Sequence, residues 1–331
     1  MDRKTVRKVK SCLFVATGAI MCLTVVYLNV LSEGRTRVQV KRSLLELDLT
    51  EGTVSSRRNV ATKSLRELGA TPEISQDFLF FNRVPKSGSE MFVLLMTWLQ
   101  GKNGFRHYRL PGGRAGNDRR LSSLRQEEVV ETVNDIRRDS ALPTSFDRHM
   151  YFTNFTAFGR QNPIYINLIR DPVDKMMSRF YYADLKKRKE AQQFEDCVGS
   201  GAPDCNFVAG HLYDLTIPYF CGHESFCSEI NNWQALERAK ANVEKYFKVV
   251  GVLENLNETL AVLETSLPRY FRGVQELYFN ELLKPHYNKN KNNPRKMKES
   301  TRRKLESSLK MEYDFYNFVK KRLLKQFHSR K

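Results

Sequence analysis

Apolar residues along the chain fall into one long unbroken run near the N-terminus and several short runs, each followed by a polar turn. Residues 11–31, SCLFVATGAIMCLTVVYLNVL, carry no charged side chain. At about 1.5 Å per helical residue they reach about 31 Å, the width of a bilayer core, so the pattern predicts a membrane-spanning helix. Ahead of it, MDRKTVRKVK holds five basic residues and one acidic one, which by the positive-inside preference places residues 1–10 in the cytosol and everything after residue 31 on the other side. A cleaved signal peptide is the competing reading. Against it, the run is longer than the apolar core of a signal peptide and no A-x-A cleavage site follows.

Residues 32–76 are polar, rich in Arg, Ser, Thr and Glu, with one leucine-bearing patch at Ser43–Leu49, and read as a stem. Residues 77–331 show no internal repeat and read as one lumenal domain. Three short apolar runs within it, Phe78–Asn82, Ile164–Ile169 and Phe247–Val252, each lead through a turn into a helical pattern. Those patterns cover Met91–Gln100, Val173–Lys187 and Asn255–Leu267, the last stopped by Pro268, and further amphipathic helices are expected at 233–246 and 299–327. Buried strands alternating with helices predict an α/β fold, a three-layer sandwich with a central parallel sheet, whose ligands bind at the carboxyl ends of the strands.

Charge adds a partner class. With 55 Lys+Arg against 37 Asp+Glu, the net charge of +18 suits a polyanion: nucleic acid, an anionic membrane, or a sulfated or carboxylated polysaccharide. A lumenal domain removes nucleic acid from that set. Four cysteines, Cys197, Cys205, Cys221 and Cys227, lie in the lumenal part. An even number in an oxidising compartment predicts two disulfides, and sequence proximity suggests Cys197–Cys205 and Cys221–Cys227, one of three connectivities. A zinc site with His211 or His223 is the alternative, although C-x7-C and C-x5-C are not the usual ligand spacing. Two N-x-T sequons, at Asn154 and Asn257, permit glycosylation in this topology.

The first strand-to-helix turn, Arg83-Val-Pro-Lys86-Ser87-Gly88-Ser89, offers backbone N–H groups, a positive helix end and a lysine to a phosphate-like anion. It is not a Walker A motif, which weakens the case for a nucleoside-phosphate kinase. Arg170 follows the second strand, and Ser178 lies two helical turns further on, so both could face one anion. Taken singly, each turn is equally well an ordinary helix start with a solvated basic residue.

Together, FNRVPKSGS, RHMYFTNFTAFG, PIYINLIRDPVDKMMSRFYY, IPYFCGHESFC and LPRYFRGVQELY resemble the Golgi uronyl 2-O-sulfotransferase family, in order and over most of residues 78–325. The short C-terminus is more similar to the chondroitin/dermatan and Pipe-like branch than to the heparan branch. The resemblance implies a P-loop-like, PAPS-dependent sulfotransferase fold behind one transmembrane helix, a single-pass type II topology in the Golgi membrane, and no metal. PAPS is 3′-phosphoadenosine 5′-phosphosulfate. The implied reaction moves its sulfuryl group to the 2-hydroxyl of a uronic acid in a glycosaminoglycan or a glycoprotein glycan.

By the same resemblance, Lys86, Ser87, Gly88, Ser89 and Glu90 form the phosphosulfate turn, with Lys86 stabilising the leaving group. Arg170 and Ser178 contact the 3′-phosphate, Tyr278 and Lys291 add cofactor contacts, and His149 is the general base. Arg83, and Lys187 and Arg188 in the run 186–189, face the substrate, and His286, by its place in a loop near the cofactor rather than by the resemblance, is a further substrate candidate. A homotrimer is also implied. Two positions depart from the heparan pattern: Asp147 stands where its first paired histidine would be, and ELLKPHYNKNKNNP after Tyr278 lacks the expected Thr-containing sequence. The rival from another class is an inactive lumenal glycan-binding protein with the same fold.

Overall fold

Alternation within a single strand sets the layers. In β1 (Ile74–Asn82), Phe78, Leu79, Phe80 and Phe81 are all fully buried, so both faces of the strand require an apolar cover. Phe78 and Phe80 pack on Phe146 and Phe155, with ring centroids 6.0–6.4 Å apart. Phe81 points the other way, onto Phe92 of α1 (Ser89–Asn103), at 5.7 Å. This computed structural model describes residues 73–112, 119–184, 194–202, 205–206, 214–282 and 297–330. Among the described residues no helix is long and apolar enough to cross a membrane. The predicted span at 11–31 and the stem up to residue 72 lie outside them.

Five strands form one parallel sheet in the order β2–β3–β1–β4–β5, with β2 at Arg106–Arg109, β3 at Thr144–Arg148, β4 at Asn162–Ile169 and β5 at Phe247–Val252. Phe81 lies opposite Asp147 on one side and Ile166 on the other. The longer helices are α1, α2 (Ser123–Asp139), α3 (Pro172–Asp184), α4 (Trp233–Tyr246), α5 (Leu256–Ser266), α6 (Glu299–Ser308) and α7 (Lys310–His328). On one face, Phe152, Tyr165, Tyr246, Phe247 and Phe220 continue the aromatic layer with centroids 4.9–5.9 Å apart. The chain leaves β1 toward β2 and leaves β4 toward β5, so the sheet's switch point falls between β1 and β4.

The three predicted strands are β1, β4 and β5, and the amphipathic stretch 233–246 is α4. β1 begins at Ile74, three residues inside the segment read as stem. The amphipathic stretch 299–327 is helical as expected and divides into α6 and α7 at the buried Leu309, with φ −119° and ψ 36°. Both disulfides have the expected pairing, with Cα–Cα distances of 6.0 and 5.6 Å, and this takes the sulfurs that the zinc alternative requires.

Buried amides tie the ends of the central strands together. Asn167 Nδ2 donates to the carbonyl and side-chain oxygens of Asn82, at 2.7 and 3.0 Å, while Asn82 Nδ2 donates to the Tyr219 carbonyl at 2.6 Å. On β5, a Cβ at Gly251 would lie 2.3 Å from Thr259 Cγ2 and 3.1 Å from Leu168 Cδ1. Thr259 cannot swing aside freely, since its Oγ1 accepts from Val252 N at 3.0 Å and donates to Val252 O at 3.2 Å. Gly251→Ala is therefore expected to cost about 1–3 kcal/mol through overpacking, read as a lower urea midpoint at unchanged slope. Stability equal to that of the parent would refute the close seating of α5 on β5.

Candidate active site

The turn between β1 and α1 is wound tightly. Lys86 has φ +62° and Gly88 φ +80°, both in the left-handed region. Glycine is required at 88, because a Cβ there would meet Leu253 Cδ1 at 2.9 Å as well as adopt a strained φ. Gly88 is the N-cap of α1 and has no side chain with which to cap the first turn of that helix. Beside it, the Ser87 hydroxyl is buried and has no hydrogen-bond partner among the described residues. Uncapped amides, the positive helix end and an unsatisfied hydroxyl together make a cradle for an anion.

The turn after β4 faces this cradle across the switch point. Arg170 Nη1 reaches the Lys86 carbonyl at 3.5 Å. Ser178 is half-buried two turns along α3, and Tyr278 is buried where a π-type turn, Tyr278–Leu282, begins. The residue after Arg170 is fastened from three sides. The Asp171 carboxylate accepts from Tyr313 Oη, at 3.1 Å to each oxygen, and pairs with Arg302 Nη2 at 2.9 Å. Its backbone N–H donates to Glu254 Oε1 at 3.1 Å, and the other oxygen of Glu254 accepts from Tyr316 Oη at 3.1 Å. Burial and the facing Asp171 raise the Tyr313 phenol pKa, so its proton stays in place for this bond. Residues of α6 and α7 thus brace the turn that carries Arg170. Nothing local in sequence connects Arg302, Tyr313 or Glu254 with that turn.

His149 follows directly on β3 and rests against the cradle's own backbone. Its Nδ1 lies 2.9 Å from the Arg83 carbonyl and its Nε2 lies 2.5 Å from Arg83 Nη2. A carbonyl cannot donate and a guanidinium cannot accept, so this network assigns the hydrogen to Nδ1 and the lone pair to Nε2. Burial, then the cationic Arg83 and Arg119, lower the His149 pKa and keep the imidazole neutral. Arg83 itself is held by Asp147 at 2.7 Å and Glu90 at 2.8 Å.

Asp147, whose role the sequence left open, is the hub of the cluster. It also meets His107 Nε2 at 3.0 Å and Arg109 Nε at 3.5 Å, and His107 Nδ1 bonds Ser145 Oγ at 2.8 Å. Burial alone would raise the Asp147 pKa, but the His107 hydrogen bond and the Arg83 and Arg109 charges bring it below the usual carboxylate range. Glu90, grouped by resemblance with the cofactor contacts, turns toward Arg83, and both of its oxygens accept from the one nitrogen Arg109 Nη2, at 2.8 and 2.9 Å. Arg83, expected to face substrate, keeps only 4% of its side chain exposed and lies against His149. Lys187, Arg188, His286 and Lys291 lie outside the described residues.

Comparison with known proteins accounts for this combination. Residues 74–319 match the Sulfotransferase family. The chain belongs to the sulfotransferase family. Heparan sulfate 2-O-sulfotransferase 1 of Xenopus laevis is 33% identical over 296 residues, covering 82% of this sulfotransferase and 81% of that protein. Human uronyl 2-sulfotransferase is also 33% identical, over 269 residues that cover 75% of this chain and 62% of the human one. The uronyl 2-sulfotransferase homolog pip of Drosophila melanogaster is 34% identical over 288 residues, 78% of this chain and 55% of the fly protein. This chain therefore spans less than two thirds of the human and fly relatives. The family implies PAPS as donor, and the cradle fits a phosphosulfate: the orphaned Ser87 hydroxyl, the uncapped helix and the glycine at 88 all favour a tetrahedral anion. Among the described residues no group of three or more His, Cys, Asp or Glu could hold a metal ion.

For a reaction that uses the Nε2 lone pair, the lowered pKa of His149 sets the pH dependence. Protonation removes the Nε2 lone pair, and the folded site resists it, so the acid limb of kcat/KM is expected below the ordinary histidine value of 6.5. A rate profile whose acid limb falls at or above that value would show that the imidazole lacks these surroundings.

Proposed function

We propose that this sulfotransferase transfers the sulfuryl group of PAPS to the 2-hydroxyl of a uronic acid residue in a glycosaminoglycan or related glycan, with His149 as general base. One observation carries the reading: the neutral imidazole of His149 hydrogen-bonds the backbone of the turn that contains Lys86, so base and anion cradle share one short segment. PAPS, when bound, supplies the activated sulfuryl group. His149 Nε2, whose lone pair accepts from Arg83 Nη2 in this structure, takes the sugar hydroxyl proton once that hydroxyl displaces the guanidinium, while the Nδ1–H bond to the Arg83 carbonyl fixes the tautomer and the ring's orientation. Lys86 and the first-turn amides of α1 meet the negative charge that grows on the leaving phosphate oxygen. Arg170 and Ser178 hold the 3′-phosphate, and Tyr278 lines the same cofactor.

Acceptor choice follows from charge. Arg109 sits on the carboxylates that hold Arg83 and is 53% exposed, a guanidinium suited to a uronate carboxylate. A net charge of +18 suits a chain of such sugars. Residues 11–31 anchor the protein in the Golgi membrane with the catalytic domain lumenal, a reading that the two disulfides support, since they persist in oxidising compartments. By family resemblance the enzyme works as a homotrimer.

Incubation with ³⁵S-labelled PAPS and a panel of desulfated heparan, chondroitin and dermatan acceptors, followed by disaccharide analysis, tests the reading directly. Label is expected at the uronate 2-position. His149→Ala should lower kcat by about 10² to 10⁴ while binding of the desulfated nucleotide product is retained. Lys86→Ala should likewise lose transfer. Parent-like activity in either variant would remove the mechanism, and absence of transfer to every acceptor with glycan binding retained would favour an inactive binding protein.

A further inference from the structure

Away from the cradle, a cavity of about 700 Å³ opens between α2, α4 and the segment after β3. None of the residues placed above in the cradle or beside the base lines it. Its size falls within the roughly 300–1,000 Å³ of ligand-holding clefts. Phe152, Phe158 and Tyr246 give it apolar walls, Gln126, Asn242 and Arg238 give it polar ones, and Asn154 stands on its lining. Aromatic faces with amide and guanidinium edges are the surroundings in which a sugar ring buries its C–H face and satisfies its hydroxyls.

Asn154 is held in an unusual way. Its Oδ1 accepts from Thr156 N at 3.1 Å, Thr156 Oγ1 at 2.7 Å and Asn162 Nδ2 at 2.9 Å. The oxygen is thereby saturated, whereas Nδ2 bonds no described residue. In a sequon that nitrogen is the acceptor atom. The other sequon differs: Asn257 is exposed on the first turn of α5 and is not among the residues lining this cavity, while its Thr259 is fully buried.

We propose that Asn154 carries an N-linked glycan whose first N-acetylhexosamine ring lies in this cavity and is part of the folded domain. This rests on the lumenal reading above. The bond forms between Asn154 Nδ2 and the anomeric carbon of a lipid-diphosphate-linked oligosaccharide. The sugar–oxygen bond to the diphosphate breaks, the diphosphate leaves with that electron pair, and one amide proton is released. The Oδ1 contacts survive unchanged, because glycosylation uses only the nitrogen. A glycan on Asn257 would stand in solvent and contribute nothing to packing.

The test uses the full chain expressed in a eukaryotic secretory host, with protease protection of sealed microsomes, peptide mass spectrometry and thermal melting of the purified protein. Asn154→Asp keeps an oxygen for all three donors and removes the acceptor nitrogen. It should lose one glycan mass, leave kcat and KM unchanged, and melt about 2–4 °C below the parent. The same pair made in cells with N-glycosylation inhibited should melt together, and Asn257→Asp should melt as the parent does in either case. A protected domain with Asn154 unoccupied overturns the inference, as does an occupied Asn154 whose Asp variant melts with the parent. Digestion of the domain from the cytosolic side of intact microsomes overturns the lumenal reading itself, and the inference with it.

Discussion

The ion pair between Arg83 and Asp147 is the constraint on which the site depends. Both side chains are almost entirely out of water, 4% and 1% exposed. Removing two charges from water is costly, and the cost is met only where further hydrogen bonds occupy the remaining donors and acceptors. Asp147 accepts from His107 and meets Arg109, while the two terminal nitrogens of Arg83 are engaged by Asp147, Glu90 and His149 and its buried Nε has no partner among the described residues. Loss of either partner would leave a buried charge, typically a penalty of about 3–5 kcal/mol. Beside the pair, the backbone also joins the ends of two adjacent parallel strands, Arg83 N donating to the Arg148 carbonyl at 2.8 Å. The His149 imidazole and the anion cradle therefore keep their separation because the buried Arg83 guanidinium is bonded to both Asp147 and His149.

Around that fixed point, the sheet's topology supplies the rest. A switch point between β1 and β4 opens two turns side by side, so Lys86 and Arg170 meet although 84 residues separate them. The C-terminal helices hold this arrangement from outside, through Tyr313 and Arg302 on Asp171 and Tyr316 on Glu254. Glu312, itself buried, accepts the backbone N–H groups of Thr216 and Ile217 at 2.8 and 2.9 Å. Lys175 Nζ, also buried, donates to the Asp214 carbonyl at 2.6 Å and to Thr216 Oγ1 at 3.1 Å. These charged side chains satisfy loop backbone that would otherwise be orphaned, and so seat the 214–217 segment on the core.

Legibility in the sequence followed the physics of each element. β1, β4 and β5 read plainly because central parallel strands are apolar on both faces. β2 and β3 did not: RHYR is a charged edge strand, and TSFDR hides Ser145 and Asp147 whose polar groups are satisfied by residues far away in the chain. The turn 83–89 was visible as a glycine- and serine-bearing link between strand and helix, and His149 through the motif around it. Asp147 was visible only as a departure from a pattern, since its worth lies in neighbours from β1 and β2.

By itself, the sequence determined the alternation of buried strands and helices and the residue types at the cradle, because each depends on local periodicity or motif, and it favoured one cysteine pairing of three that the structure then fixed. Tertiary structure alone decided that Asp147 anchors Arg83 and that the His149 lone pair sits on Nε2. It alone decided, too, that α6 and α7 brace the Arg170 turn. Those features are relations between groups brought together from distant parts of the chain, and their electrostatics depend on burial and on partners within about 3 Å, neither of which a linear order of residues contains.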